Sequence, residues 1–371
     1  MKININIFLL LMMGLSVQAE TVGVEYSGNM RVGAQYHDSE GNSGADLALG
    51  GNLHAETTPL AGLSFGATLQ TSHALFHQND AFGVPFCDEA SKSYTILSEA
   101  YVKGVYENTI LILGRQTIDT PFADSDDIGM IPNTFEAYTV MNQDIQDVSL
   151  VYTYVRNMSG VDADIPESFS DINGGSGIHI VGMEYQLQEN MTLSGWFYDM
   201  PSLAKYTYLE VGYENSYNSV QYTLEAQVVL QDFEKSDSAN IFGLSASLVH
   251  EESALAFSVA YNKSIDAAAD NGFGGGPFFT SSKNMTLAEA GEDGEVFTYG
   301  VEWGATEALT LALFNANLYD NQNHDGYEVD IVANYSVTDN FSFDAIYSKI
   351  DNANVSGDKF DNVRVFVNYS F

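Results

Sequence analysis

Phe360-Asp-Asn-Val-Arg-Val-Phe-Val-Asn-Tyr-Ser-Phe371 closes the chain. Counting back from the end, Phe371, Tyr369, Val367, Val365 and Val363 alternate with Ser370, Asn368, Phe366, Arg364 and Asn362. Side chains of a strand point to opposite faces in turn, so one face is apolar and the other mostly polar. About ten such residues span a bilayer core when the strand tilts by roughly 45°.

The same alternation recurs along the chain. Val220, Tyr222, Leu224, Ala226, Val228 and Leu230 alternate with Gln221, Thr223, Glu225, Gln227, Val229 and Gln231. Tyr327, Val329, Ile331, Ala333 and Tyr335 likewise oppose Glu328, Asp330, Val332, Asn334 and Ser336. Pairs of strands are joined by short turns at 58–60, 107–108, 188–190, 251–253 and 338–340. Longer segments at 72–93, 117–134, 159–176 and 266–295 separate the pairs. The expectation is an all-β transmembrane antiparallel β-barrel of about eighteen strands, with sixteen the alternative, short periplasmic turns and longer extracellular loops. A terminal aromatic carboxylate on such a strand, here Phe371 after Tyr369, resembles the assembly signal of bacterial outer-membrane barrels. It implies the barrel-assembly machinery as a partner.

Residues 1–19 read as a signal peptide, with Lys2, the apolar run Ile7 to Leu15 and a cleavage site at Val17-Gln18-Ala19. The mature chain, from about Glu20, is then a single barrel domain. No later run reaches the 18 or so apolar residues of a membrane helix.

Asp and Glu outnumber Lys and Arg by 50 to 13, a formal charge of −37. Nucleic acid is excluded as a partner, because it needs a basic footprint. The 45% hydrophobic content and regular alternation argue against disorder. On the polar face, Glu225, Glu328, Asp330, Asp344 and Arg364 would be costly in lipid, so that face looks into the barrel. Eighteen strands enclose more space than side chains fill, which leaves an aqueous lumen. With four arginines, at 31, 115, 156 and 364, an acidic lumen favours cations.

Catalytic signals are missing. Gly-x-Ser-x-Gly and His-Glu-x-x-His do not occur, and His73 and His77 read as loop residues. Asp124, Asp126 and Asp127 lack the pattern of a calcium loop, and Gly272 to Gly276 lacks the Lys of a phosphate loop. No cofactor and no metal site is expected, and the one cysteine, Cys87, reads as a free thiol.

The segment from Leu113 to Ala137 mixes Pro121, Pro132 and carboxylates with Phe122, Ile128, Met130, Ile131 and Phe135. A fully solvated loop needs no such apolar set, so packing against the inner wall is expected. Gly114-Arg115-Gln116, Thr120-Pro121, Asp126-Asp127, Pro132-Asn133 and Phe135-Glu136-Ala137 resemble a block of the OprD-like outer-membrane porins, most closely the campylobacter-type branch. Gly274-Gly-Gly-Pro-Phe-Phe-Thr280 is a second, weaker echo. The resemblance implies that 117–134 folds inward and forms the pore constriction, with Arg115, Asp119, Asp124, Asp126, Asp127 and Glu136 as its charged residues and Arg115 opposite the loop aspartates. Gly129 stands where similar sequences often carry a basic residue, a departure that weakens the carry-over of anionic-substrate binding from the resemblance.

Two functions follow. The first is a porin passing small hydrophilic solutes or cations; the second is a barrel-anchored adhesin using 266–295 and 159–176 as its contact surface. Outer-membrane lipid and lipopolysaccharide are implied partners, and by resemblance a homotrimer is possible.

Overall fold

Strand-forming aromatics and β-branched residues, spaced two apart, impose a single architecture on the chain. The computed structural model describes residues 22–39, 41–78, 86–88, 90–322 and 324–371. The signal expected at 1–19 and Pro85 beside Cys87 lie outside them. Eighteen long strands run through these residues. The first nine are β1 (Val24–Ser39), β2 (Asn42–Thr57), β3 (Leu63–Gln78), β4 (Tyr94–Tyr106), β5 (Thr109–Gln116), β6 (Thr134–Asn142), β7 (Val148–Ser159), β8 (Ile178–Gln188) and β9 (Met191–Met200). The second nine are β10 (Ala204–Tyr217), β11 (Val220–Phe233), β12 (Ala239–His250), β13 (Leu255–Asp266), β14 (Glu295–Gly304), β15 (Leu309–Tyr319), β16 (Asp325–Thr338), β17 (Phe341–Asn352) and β18 (Asp358–Ser370).

Each strand pairs antiparallel with the next, and β18 returns to β1 from Asn29↔Ser370 to Asp38↔Asp361. The ring is closed. Phe371 and Gly28 exchange backbone hydrogen bonds, both 3.0 Å, at the end of that seam. Closure leaves no strand edge facing lipid, which a bilayer requires. A two-residue pairing, Ser170–Asp171 with Met158 and Asn157, extends the wall beside β7.

The alternation resolves into two faces. On β11, Gln227, Val229 and Gln231 are buried, whereas Leu224, Val228 and Leu230 are about half exposed. On β18, Asn362, Arg364 and Phe366 are buried and Tyr369 faces outward at 46% exposure, beside Phe371 at 51%. The exposed face is the one that meets lipid.

Turns at one end span two to five residues, as at 107–108 and 58–62, while the other end carries 117–133, 160–177 and 267–294. The tightest turns use the left-handed backbone, with Glu107 at φ 50° and Asn218 at φ 53°. One boundary moves. The loop expected from Ser72 begins after Gln78, because β3 continues with Ser72 paired to Tyr94 and its hydroxyl donating to the Phe86 carbonyl. Above the membrane a strand needs no apolar outer face, so its polar residues read as loop.

Candidate functional site

The lumen is not open water. The segment 117–133 leaves the end of β5 and passes across the interior between two walls. Its first anchor is Phe122, 1% exposed, with ring centroids 5.4 Å from Tyr198, 5.1 Å from Tyr206 and 6.2 Å from Tyr208, all edge-on. Its backbone N–H donates to Tyr198 Oη at 3.2 Å. Those tyrosines belong to β9 and β10. The second anchor is Met130 with Ile131, packed on Ala48, Phe86 and Phe366. Glycines make room for it: a Cβ on Gly33 would stand 2.5 Å from Met130 Sδ, and one on Gly50 would stand 3.2 Å from its Cε. These positions are on β1, β2 and β18. In a ring of eighteen, β10 lies opposite β1. The eight residue steps from 122 to 130 reach up to about 29 Å when extended. The segment is a bar across the barrel.

Charge fixes the second anchor. Arg31 forks onto both Asp127 oxygens at 2.6 and 2.8 Å, onto the Gly129 carbonyl at 2.7 Å and onto Asn368 Oδ1 at 2.8 Å, with Phe366 beneath it at 5.2 Å. Arg364, 1% exposed, donates to the Ile128 carbonyl at 3.3 Å. A bidentate guanidinium fits this task because its planar fork fixes orientation as well as charge. Asp127 is half exposed, so replacing Arg31 by Gln should loosen the bar by only about 1 kcal/mol. Faster amide exchange across 126–131 with the rest of the barrel unchanged is the expected reading.

A second loop backs the first. Residues 267–294, whose Gly run reads in the sequence as free loop, are folded into the barrel, with Phe278, Met285, Leu287 and Ala290 buried. Phe273 forms a parallel bridge with Ala123, and its N–H donates to the Phe122 carbonyl at 2.9 Å. Wall amides hold the rest. Gln227 on β11 donates to the Pro277 carbonyl at 3.1 Å, Gln231 donates to the Asp270 carbonyl at 2.7 Å, and Asn262 on β13 accepts from Thr280 N at 3.2 Å. Inward amides on β11 and β13 were the sequence signal for this loop.

The charged residues expected at the pore separate into groups. Asp119, Asp124 and Asp126 line cavities beside the bar, and Asp127 is taken up by Arg31. Arg115 does not stand opposite these aspartates. It donates to the Leu97 carbonyl at 3.0 Å and lies 4.3 Å over the Phe169 ring of segment 160–177, while Glu136 is its register partner on β6. The role assigned to Arg115 falls to Arg31 and Arg364, because ring closure brings β1 and β18 against the bar.

Glu328, Asp330 and Arg364 face inward, yet the second loop covers them rather than water, with exposures of 0, 1 and 1%. Glu328 accepts from Ser282 Oγ and, at 2.7 Å, from Asn284; Asp330 accepts from Ser348 at 2.5 Å; Arg364 also donates to the Lys283 carbonyl at 3.1 Å. Glu225, held by Ser245 at 2.5 Å, and Asp344, held by Asn334 and Asn368 at 2.7 Å each, stay partly open.

Two cavities flank the bar. One of about 570 Å³ lies toward the loop end and holds Asp124, Asp126, Asp162 and Glu289 with one cation, Lys283. The other, of about 340 Å³, lies among β8, β9 and β10 and holds Asp119, Asp124, Glu184 and Glu210 with no Lys or Arg. Asp124 and Gly276 line both. Burial, then the charges of Asp162, Asp124 and Asp127, push the Asp126 carboxyl up to about 6 against the pull of Arg364. Burial raises Asp124 and Asp162 as well, Asp162 against a 2.6 Å hydrogen bond from Asn133.

A closed eighteen-strand barrel with an apolar outer face and polar cavities inside is an outer-membrane channel protein. Residues 65–272 match the family described as outer membrane porin, OprD family, and the chain belongs to that family. Its place is therefore the outer membrane of a Gram-negative bacterium, and small solutes are what such channels pass. Among solved structures it is similar to Pseudomonas aeruginosa OccK9 (OpdG), with 15% identity over 94% of this chain and 98% of that one and a TM-score of 0.82. It is also similar to P. aeruginosa OpdK with vanillate (12% identity, 94% and 98% covered, TM-score 0.79) and to Acinetobacter baumannii OccAB1 (14%, 94% and 96%, 0.77). At these identities the likeness is one of fold. No curated protein matches the chain.

Proposed function

We propose that this porin passes small hydrophilic solutes with a preference for cations, and that the bar 117–133 is its constriction. The observation that carries the reading is the lining of the cavity beside β8, β9 and β10, which has four carboxylates and no Lys or Arg. Arg31 and Arg364 are taken up as loop anchors, which leaves them little field to offer a passing anion. OpdK was solved with vanillate, which bears a carboxylate; the acidic lining here disfavours such a solute. The channel reading is also supported over a surface adhesin by 267–294, whose apolar side chains are spent inside the barrel. In this reading residues 1–19 direct export, and Tyr369 with Phe371 guide insertion by the assembly machinery.

The test is the reversal potential of the refolded protein in a planar bilayer under a KCl gradient. It should lie on the cation side. One carboxylate acting through water on a monovalent cation roughly 7 Å away contributes about 0.6 kcal/mol, or a factor of about 2–3 in local concentration. Asp124→Asn with Asp126→Asn should therefore lower the cation-to-anion ratio several-fold. Because Asp126 sits near 6, the wild-type ratio should also fall as pH drops from 7 to 5, where that carboxyl takes up its proton. A reversal potential indifferent to both changes would remove the acidic lining from the explanation.

A further inference from the structure

Toward its loop end, the outer face of β13 to β16 departs from a plain apolar band. Four successive rows of register-paired residues climb this wall. The lowest is Phe257, Val301 and Leu313, with Val301 recessed between two side chains that are about half exposed. Val259, Tyr299, Asn315 and Val329 form the next, and Tyr261, Phe297, Asn317 and Tyr327 the third. The fourth is Lys263, Glu295 and Tyr319, at the foot of segment 267–294. The two lower rows enclose a groove of about 440 Å³. Asn315 and Asn317 belong to the lipid side, because Ala312, Ala316 and Leu318 of the same strand are buried on the other. Polar groups facing lipid are costly unless hydrogen-bonded. Asn317 Nδ2 donates to Asn315 Oδ1 at 2.6 Å, and Asn315 Nδ2 donates to the Glu328 carbonyl at 3.2 Å. Asn317 Oδ1 accepts from no described residue and stays open to the surface. Lys263 lies 3.4 Å from Glu295 Oε2, which also accepts from Tyr261 at 2.6 Å, so two of the three ammonium hydrogens have no described partner.

We propose that this wall is the docking site of a phosphorylated, N-acylated glycolipid of the outer leaflet, the chemistry of the lipid A part of lipopolysaccharide. An acyl chain would lie in the groove, an amide N–H or hydroxyl would donate to Asn317 Oδ1, and a phosphate would take the open donors of Lys263. Apolar, amide, amide, charge is the order in which such a lipid passes from tail to head. A diacyl phospholipid joins its tails by esters, which offer Asn317 no donor at that depth. The Lys263–Glu295 pair is neutral overall, so the phosphate is held by directed donors and not by net charge. The site is on the outside of the barrel and is independent of what the lumen passes.

The test is a lipid titration of the full barrel in detergent micelles, read by native mass spectrometry. Bisphosphorylated lipid A is the probe, and phosphatidylglycerol is the anionic lipid that lacks the amide. The wild type should bind one lipid A about tenfold more tightly than phosphatidylglycerol, the worth of one or two hydrogen bonds. Asn317→Leu, which suits a lipid-facing strand, should lower the lipid A affinity about two- to tenfold and leave phosphatidylglycerol unchanged. Lys263→Gln should shrink the preference for lipid A over its dephosphorylated form. Val301→Phe, which fills the groove, should weaken both lipids and covers the case in which the Asn317 variant does not fold. Equal affinity of the wild type for the two lipids would overturn the inference. So would a lipid A affinity untouched by all three substitutions. Oxidised Val259→Cys protein should stay monomeric. A disulfide-linked dimer that lipid A does not prevent would give the groove to a second copy of the chain and overturn the inference as well.

Discussion

Phe122→Ala should free the bar from its far wall. Phe122 is buried against four rings, those of Tyr198, Tyr206, Tyr208 and Phe278, with the smaller Ile118 and Ala123 of the bar packed in the same cluster. Truncating a buried Phe costs about 3–5 kcal/mol, which raises the population of a detached bar by roughly 10²–10⁴-fold. The barrel itself should survive, since its strand ladder is untouched. The expected single-channel record has higher and noisier open current than the wild type, with lower cation preference because Asp119 and Asp124 leave the passage. Phe122→Leu, which refills most of the volume, should recover quiet channels. Conductance and noise unchanged in Phe122→Ala would mean that the Arg31 and Met130 end holds the bar alone.

Arg364→Met is the second large effect. Among the described residues Arg364 is the one side chain that donates to both loops, at the Ile128 and Lys283 carbonyls, and it lies within electrostatic reach of Glu328, Asp330 and Asp126. Removing one partner from a buried set of charges leaves the others uncompensated, at about 3–5 kcal/mol. The temperature at which the folded band disappears on unheated gels should fall, and protease should cut within 267–294 in the variant but not in the wild type. Adding Glu328→Gln to Arg364→Met removes one stranded carboxylate, so it should restore much of the lost heat resistance. If the double variant is no better than the single one, the loss comes from the two loop carbonyls and not from charge balance.

The outcome for this barrel depends on what kind of information each feature uses. Strand order and facing are local. Tyr94–Tyr106, Thr109–Gln116, Met191–Met200 and Leu309–Tyr319 begin and end where alternation and turn residues place them. The apolar set Phe122, Met130 and Ile131 in a loop otherwise rich in carboxylates was enough to expect that it packs inside. Here the period of two and the cost of charge in lipid leave few alternatives.

What the alternation could not carry is which distant positions meet. Arg31 meets Asp127 across 96 residues, and Arg364 meets Ile128 across 236, only because β18 closes onto β1 opposite the wall that takes Phe122. Arg115, adjacent in sequence to the loop, was the natural local partner, but the loop leaves it behind against the Leu97 carbonyl and the Phe169 ring. The Gly-rich segment 267–294 looked unstructured because its order comes from Gln227, Gln231, Asn262 and Glu328 on walls far along the chain. The sequence by itself therefore determined a closed membrane barrel with an acidic interior, since lipid, water and strand geometry act on every residue in place. Only the tertiary structure decided which charges face the passage and which are spent as anchors, because that depends on where closing the ring puts each wall.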